Sequence, residues 1–182
     1  MRAAGLDLSG SEKKPSGWCL IGEDKNLNVK TLYTDADIVE EILQTKPQVL
    51  AIDAPLTLPV EKGFRLVDKA LMKEKGKPLP PLMPGMRNLT SRAIRLSENI
   101  QKLNIGVKIV ETHPQTVAQK LRINRSFEDI LRIIEKYHLN LISRKLSEHE
   151  VDAVLAALVA WLYLIGEVKE IRESDGVIVL PK

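Results

Sequence analysis

Four carboxylates stand out by where they sit. Asp7 closes an apolar run in Gly5-Leu6-Asp7-Leu8-Ser9-Gly10, Asp53 closes one in Ala51-Ile52-Asp53-Ala54-Pro55, and Glu111 closes one in Ile109-Val110-Glu111-Thr112-His113-Pro114. Asp152 enters the otherwise apolar run from Val151 to Leu158. Ionised carboxylates are costly to bury without partners. Several at one edge repel each other unless cations neutralise them or their pKa values rise. Hard oxygen donors of this kind suit Mg²⁺ or Mn²⁺. Taken singly, each residue has a plain structural reading. An Asp after a strand makes a turn or a cap. Glu148 and Glu150 favour a helix N-terminus. His113 before Pro114 bonds locally, and His149 either orients a water or opens the helix. Ser9 and Ser11 either hold a phosphate or make the turn, and Gly10 lets the backbone turn tightly or approach a ligand. Three strand-end acids together with one acid in a core helix point instead to a joint site of Asp7, Asp53, Glu111 and Asp152.

The elements that must position these acids read as a mixed α/β domain. Met1–Leu8, Gly17–Ile21 and Leu27–Tyr33 are short strands joined by turn-rich links, which predicts an antiparallel meander. Thr34 or Asp35 then caps a helix carrying Ile38, Val39, Ile42 and Leu43. Val49–Ile52 is a continuous apolar strand reached through that helix, so it is parallel to its neighbour. Six prolines break the pattern between Pro55 and Gly85. Residues 55–88 are therefore an insertion or lid, with one short helix at Phe64–Lys73. Leu89–Leu103 is helical, Val107–Val110 is a second parallel strand, and helices follow at Pro114–Leu121 and Phe127–Tyr137. Ser147 caps the strongest helix, which runs to about Leu164 and is apolar nearly all round. Val168–Arg172 and Gly176–Leu180 form a terminal hairpin, or one edge strand and a tail. The resulting sheet has five strands, three antiparallel and then two parallel, flanked by helices in a single domain over 1–182.

Composition narrows the function classes. The 182 residues are 44% apolar and 28% charged, which suits a globular core rather than disorder. Cys19 is the one cysteine, which excludes an internal disulfide and a cysteine-based zinc site. The chain opens without a charged and then apolar leader, and Ala153–Ile165 is too short to span a membrane. A cytoplasmic protein without a membrane partner is expected. From Val60 to Lys102 there are ten Lys/Arg against four Asp/Glu, an excess larger than the whole-chain charge of +3. The remainder is thus net acidic, and a basic insertion beside it suits a polyanion. Arg65, Lys69, Lys73 and Arg87 are its candidate phosphate ligands. Phe64 is the one aromatic in that stretch, which argues against base stacking on rings.

This succession resembles the ribonuclease H-like superfamily, with its first Asp on strand one. The segment His149-Glu150-Val151-Asp152-Ala153-Val154-Leu155-Ala156-Ala157 looks like the acidic start of the last helix in Holliday-junction resolvases of that fold. More closely, the chain is similar to an uncharacterised family of predicted nucleases, classed as a domain of unknown function. Its motifs stand here as Gly5-Leu6-Asp7, Ala51-Ile52-Asp53-Ala54-Pro55, Arg65 with Asp68, Leu89-Thr90, Glu111-Thr112-His113-Pro114 and His149-Glu150-Val151-Asp152-Ala153. The resemblance implies a metal-dependent nuclease in which Asp7 bridges two Mg²⁺ or Mn²⁺ ions and Asp53 and Asp152 complete their shells. Glu111 falls where the wider superfamily varies. Ser9, Arg65, Lys69, Arg87 and His149 would bind substrate, a nucleic acid of unspecified type, and a homodimer is one possible assembly.

Two other readings compete. A nucleotide-binding phosphotransferase or ATPase of the actin and sugar-kinase type shares this sheet, and Gly5–Ser11 looks like its first phosphate loop. That class needs a second domain and a second Gly-rich turn, and none follows the fourth strand. A non-catalytic binding module of the same fold would have its carboxylates dispersed, or paired with Lys and Arg.

Overall fold

A computed structural model describes residues 1–141 and 144–182. Its described elements alternate along the chain as β1 (Ala3–Asp7), β2 (Ser16–Ile21), β3 (Asn26–Leu32), α1 (Asp35–Thr45), β4 (Val49–Asp53), α2 (Leu66–Lys73), α3 (Pro84–Lys102), β5 (Lys108–Glu111), α4 (Pro114–Leu121), α5 (Phe127–Lys136), β6 (Asn140–Leu141), α6 (Glu148–Leu164), β7 (Val168–Glu173) and β8 (Gly176–Pro181). The expected meander is present, with β1 antiparallel to β2 and β2 antiparallel to β3. β4 lies parallel to β1, and β5 parallel to β4.

The sheet is wider than the five strands expected. Its order is β6-β3-β2-β1-β4-β5-β8-β7. The terminal hairpin does form, and β8 adds to β5 in parallel through Glu111 and Ile178. Two-residue β6 pairs with β3 at the other edge, a length too short to leave a periodic signal. Helix starts also moved. α3 begins at Pro84, five residues before the expected Leu89, because proline suits the first helical turn. α2 begins at Leu66, where the Arg65 backbone N–H donates to Asp68 at 3.0 Å.

Helices cover both faces. Ala4, Leu6, Leu50 and Ile52 pack with Ile38 and Ile42 of α1 and with Ala93, Leu96 and Ile100 of α3. Ala3, Val49 and Ala51 face the other way, toward α6. Side chains alternate along a strand, so Gly5 and Asp7 share the α6 face with Ala3, and Asp53 shares it with Ala51.

α6 is seated on the sheet backbone to backbone. A Cβ added at Gly5 would lie 2.1 Å from the Ala157 nitrogen and 2.2 Å from the Ala153 oxygen. One added at Gly17 would lie 2.0 Å from the His149 oxygen. Small residues therefore meet at Gly5, which lies against Ala153 and Ala157, while Gly17 lies against the His149 backbone. Ser147 caps α6 with Glu150 as its box partner, and Arg144 grips the Glu150 carboxylate at 2.7 and 3.0 Å. No helix among the described residues is long and apolar enough to cross a membrane. Gly5→Ala should cost at least about 2 kcal/mol in denaturant unfolding, since backbone cannot yield as a side chain can. A loss below about 0.5 kcal/mol would show that α6 does not rest on β1 in this way.

Candidate active site

Asp7 and Asp53 are paired residues at the adjoining ends of β1 and β4. Both point to the α6 face, and Asp152, in the second turn of α6, comes down over them. His149, one turn earlier, holds Asp7, with Nδ1 and Oδ2 2.6 Å apart. Gly17 is the cross-strand partner of Asp7, and its missing side chain leaves the space that the His149 turn of the helix occupies. The sequence-predicted trio Asp7, Asp53 and Asp152 is thus brought to one place by β1, β4 and α6.

The electrostatics of that place follow from burial and mutual repulsion. Burial raises the Asp7 carboxyl above its ordinary value, against the pull of His149 and Arg125. Asp53 stands well above its ordinary value, first through burial and then through the charges of Asp7 and Asp152. It makes no side-chain hydrogen bond among the described residues. Asp152 is pushed up to about 6, again mainly by burial, with Arg125 opposing and Asp7 adding to the rise. Its Oδ1 is buried with no hydrogen-bond partner.

Arg125 was not legible as a site residue. It lies in the loop between α4 and α5, in left-handed backbone at φ 57°, and its Nη1 donates to Asp152 Oδ2 at 2.7 Å. With Asn124 and Glu148 it lines a recess on the outer side of Asp152. No loop periodicity or motif could have flagged it.

Glu111 does not join the trio. Its register partner is Ile52, not Asp53, and its carboxylate, which lines the same cavity as Asp7 and Asp53 and adds to the rise of Asp53, is taken by a cation of its own. There Arg65 meets it in a fork, at 2.8 Å from Nη1 and 2.5 Å from Nη2. The Leu56 N–H also donates to it at 2.9 Å. Arg65, expected to bind phosphate, is 1% exposed, and its remaining donors go to Asp68 and Thr57. Ser9 makes the turn: its hydroxyl lies within donating reach of the Ser11 and Lys14 carbonyls and accepts from Arg92, which also reaches Asp35 and the Tyr33 carbonyl. Lys69 and Arg87 are exposed on α2 and α3. His113 caps α4 through Nδ1, and burial lowers its pKa to about 4, so it is neutral near pH 7.

Among the described residues no group of three or more His, Cys, Asp or Glu side chains stands close enough to hold a metal ion. The donor chemistry nonetheless fits Mg²⁺ or Mn²⁺: three carboxylates in a poorly solvated place, one oxygen without a partner, and one acid without a hydrogen bond. Arg125 and His149 are the side chains now paired with them. A cavity of about 220 Å³ opens beside the trio, sharing Asp7 and Asp53 as walls.

Residues 5–175 match the family described as "Protein of unknown function (DUF429)". The chain belongs to that family. A search of curated proteins found no match. Among solved structures, the chain is similar to Thermus thermophilus RuvC in complex with a Holliday junction substrate, with a TM-score of 0.57, 14% identity, and coverage of 91% of this chain and 97% of that one. A second Thermus thermophilus RuvC structure gives a TM-score of 0.53 and 16% identity at the same coverages. At such identities the likeness is one of fold, and this DUF429 chain has the ribonuclease H-like fold.

The Asp152 carboxyl should titrate at about 6 in metal-free protein followed by carboxyl-carbon NMR, and Arg125→Gln should move that midpoint upward. Its folded pKa exceeds the ordinary 3.8, so the folded state binds the extra proton. Its contribution to stability is then full below about pH 4 and is lost as pH rises through about 6. Asp152→Asn should abolish that decline. A midpoint near 4 would place Asp152 in water, away from Asp7.

Proposed function

We propose that this DUF429 protein is a metal-dependent nuclease that hydrolyses phosphodiester bonds at Asp7, Asp53 and Asp152. The observation that carries the reading is the meeting of three partly buried, mutually repelling carboxylates from β1, β4 and α6, which only partial pairing relieves. The fold shared with RuvC, one of whose structures holds a Holliday junction substrate, supports nucleic acid as the polyanion. The pairing of Asp152 with Arg125 is what a binding module would have shown, but Asp53 has no such partner.

Two Mg²⁺ or Mn²⁺ ions at these carboxylates would supply the water activation and charge neutralisation of two-metal hydrolysis. Asp7, at the end of β1 and beside Asp53, would hold them together with Asp53 and Asp152. His149 orients the Asp7 carboxylate. Arg125, once released from Asp152, is free to meet a phosphate oxygen. Lys69, Lys73 and Arg87 lie along α2 and α3 as contacts for flanking phosphates. Glu111 and Arg65 stay outside the donor set and brace residues 55–88, which act as the lid of a single domain.

Purified protein should cut at least one member of a panel of single-stranded, duplex and branched DNA, RNA and hybrids with Mn²⁺ or Mg²⁺. Asp7→Asn should lower the rate at least about 100-fold, about 2.7 kcal/mol of transition-state stabilisation. Cleavage that survives Asp7→Asn would put the chemistry elsewhere and sink this reading.

A further inference from the structure

We propose that the cavity beside Asp7 and Asp53 receives a single unpaired nucleobase of a nucleic-acid strand, and so places the phosphate attached to that nucleotide at the carboxylates. The inference rests on the nuclease reading and adds a substrate class to it. Its first support is position: Asp7 and Asp53 are walls of both the acid cluster and the cavity. Whatever fills the cavity is joined to whatever sits at the acids.

Size and shape come next. The cavity holds about 220 Å³, below the usual range of drug-sized pockets and far too small for a base pair. Leu71 and Ile178 line it, and Pro78, Leu79, Met86 and Leu89 form an apolar part of its wall. Prolines at 78, 80, 81 and 84 restrict the backbone of that wall. A cavity of this volume with a largely apolar lining suits one base taken out of its stack, without an aromatic platform.

Charge then separates two regions. Inside the cavity, Arg65 has its guanidinium donors taken by Thr57, Asp68 and Glu111, so it is not a free cation for an anion. His113, with its pKa lowered to about 4, is neutral there. Gln115 adds an amide that can both donate and accept, as recognition of a base edge needs. Lys77 is the exposed cation of the lining and suits the sugar-phosphate side. A largely apolar, amide-bearing recess, in which Arg65 is tied to Asp68 and Glu111, lies beside an anionic metal-seeking cluster and so matches the two halves of a nucleotide, base and phosphate.

The test has a binding arm and a cleavage arm. In saturation-transfer NMR without metal, 5′-AMP or 5′-UMP should give base-proton signals, and ribose 5-phosphate should give far weaker ones. Leu79→Trp, at a half-exposed position where the fold tolerates a ring, should weaken the base signals at least about 10-fold. In the cleavage arm, substrates with an unpaired nucleotide should be cut at least about 10-fold faster than blunt duplex, and an abasic residue at that position should remove the advantage. Asp7-dependent cutting that ignores pairing and the abasic residue would overturn base capture and leave the nuclease reading standing. Base binding that Leu79→Trp abolishes, with no nucleic acid cut, would overturn the nuclease reading and leave base recognition standing. Absence of base-dependent binding in the first arm would overturn the inference outright.

Discussion

The contact of α6 with the bare backbone of β1 and β2 governs the rest of the molecule. Two glycines, Gly5 and Gly17, leave no side chain between helix and sheet. An ordinary helix-on-sheet spacing would lift Asp152 and His149 away from the strand ends. Here the His149 turn touches Gly17, the cross-strand partner of Asp7, and His149 reaches Asp7 directly. The same seating makes α6 the centre of the core, with Ala153, Ala156, Ala157 and Ala160 fully buried. Stability and the convergence of the acids therefore come from one packing contact.

That contact has an electrostatic cost. It removes water from Asp7, Asp53 and Asp152 at once, and all three carboxyls are raised. A hydrophobic core does not require such a cluster, and replacing it by apolar residues would relieve the strain. Its retention beside a cavity is the pattern of a site poised to take cations. Arg125 and His149 reduce the repulsion without removing it. Among the described residues, Asp152 Oδ1 stays buried and unbonded.

The strand-end acids were readable because an apolar run that stops at a carboxylate is local information. The parallel setting of β4 followed from the connection through α1, the gathering of Asp7, Asp53 and Asp152 was implied by the resemblance, and α6 declared itself by its length and apolar content. The place of Glu111 was not readable. A register offset of one residue sends it to Arg65, and register depends on how β5 meets β4 in space. Arg65 looked like a surface cation in a basic stretch, yet it is buried between Glu111 and Asp68. Arg125 sat in a polar loop with no pattern around it. β6 and the insertion of β8 beside β5 are tertiary pairings of segments too short or too remote to announce themselves.

The two arginines divide the site into a fixed half and a yielding half. Arg65 is bound on all sides, and Asp175 of the β7–β8 turn accepts from the Leu66 and Val67 N–H groups at the start of α2. Segments 65–68, 111 and 175 thus tie the cavity wall from three separate parts of the chain. Removing any one partner would leave a buried charge or helix end unsatisfied, so this wall is stiff. Arg125 is the opposite case. It is 41% exposed at its side chain, comes from a loop, and holds Asp152 through one bond to Oδ2. An ion pair of that kind is weak and exchanges readily with water or another cation. The stiff half is where shape would be recognised, and the yielding half is where charge would be exchanged, and Asp7 and Asp53 lie on the boundary between them.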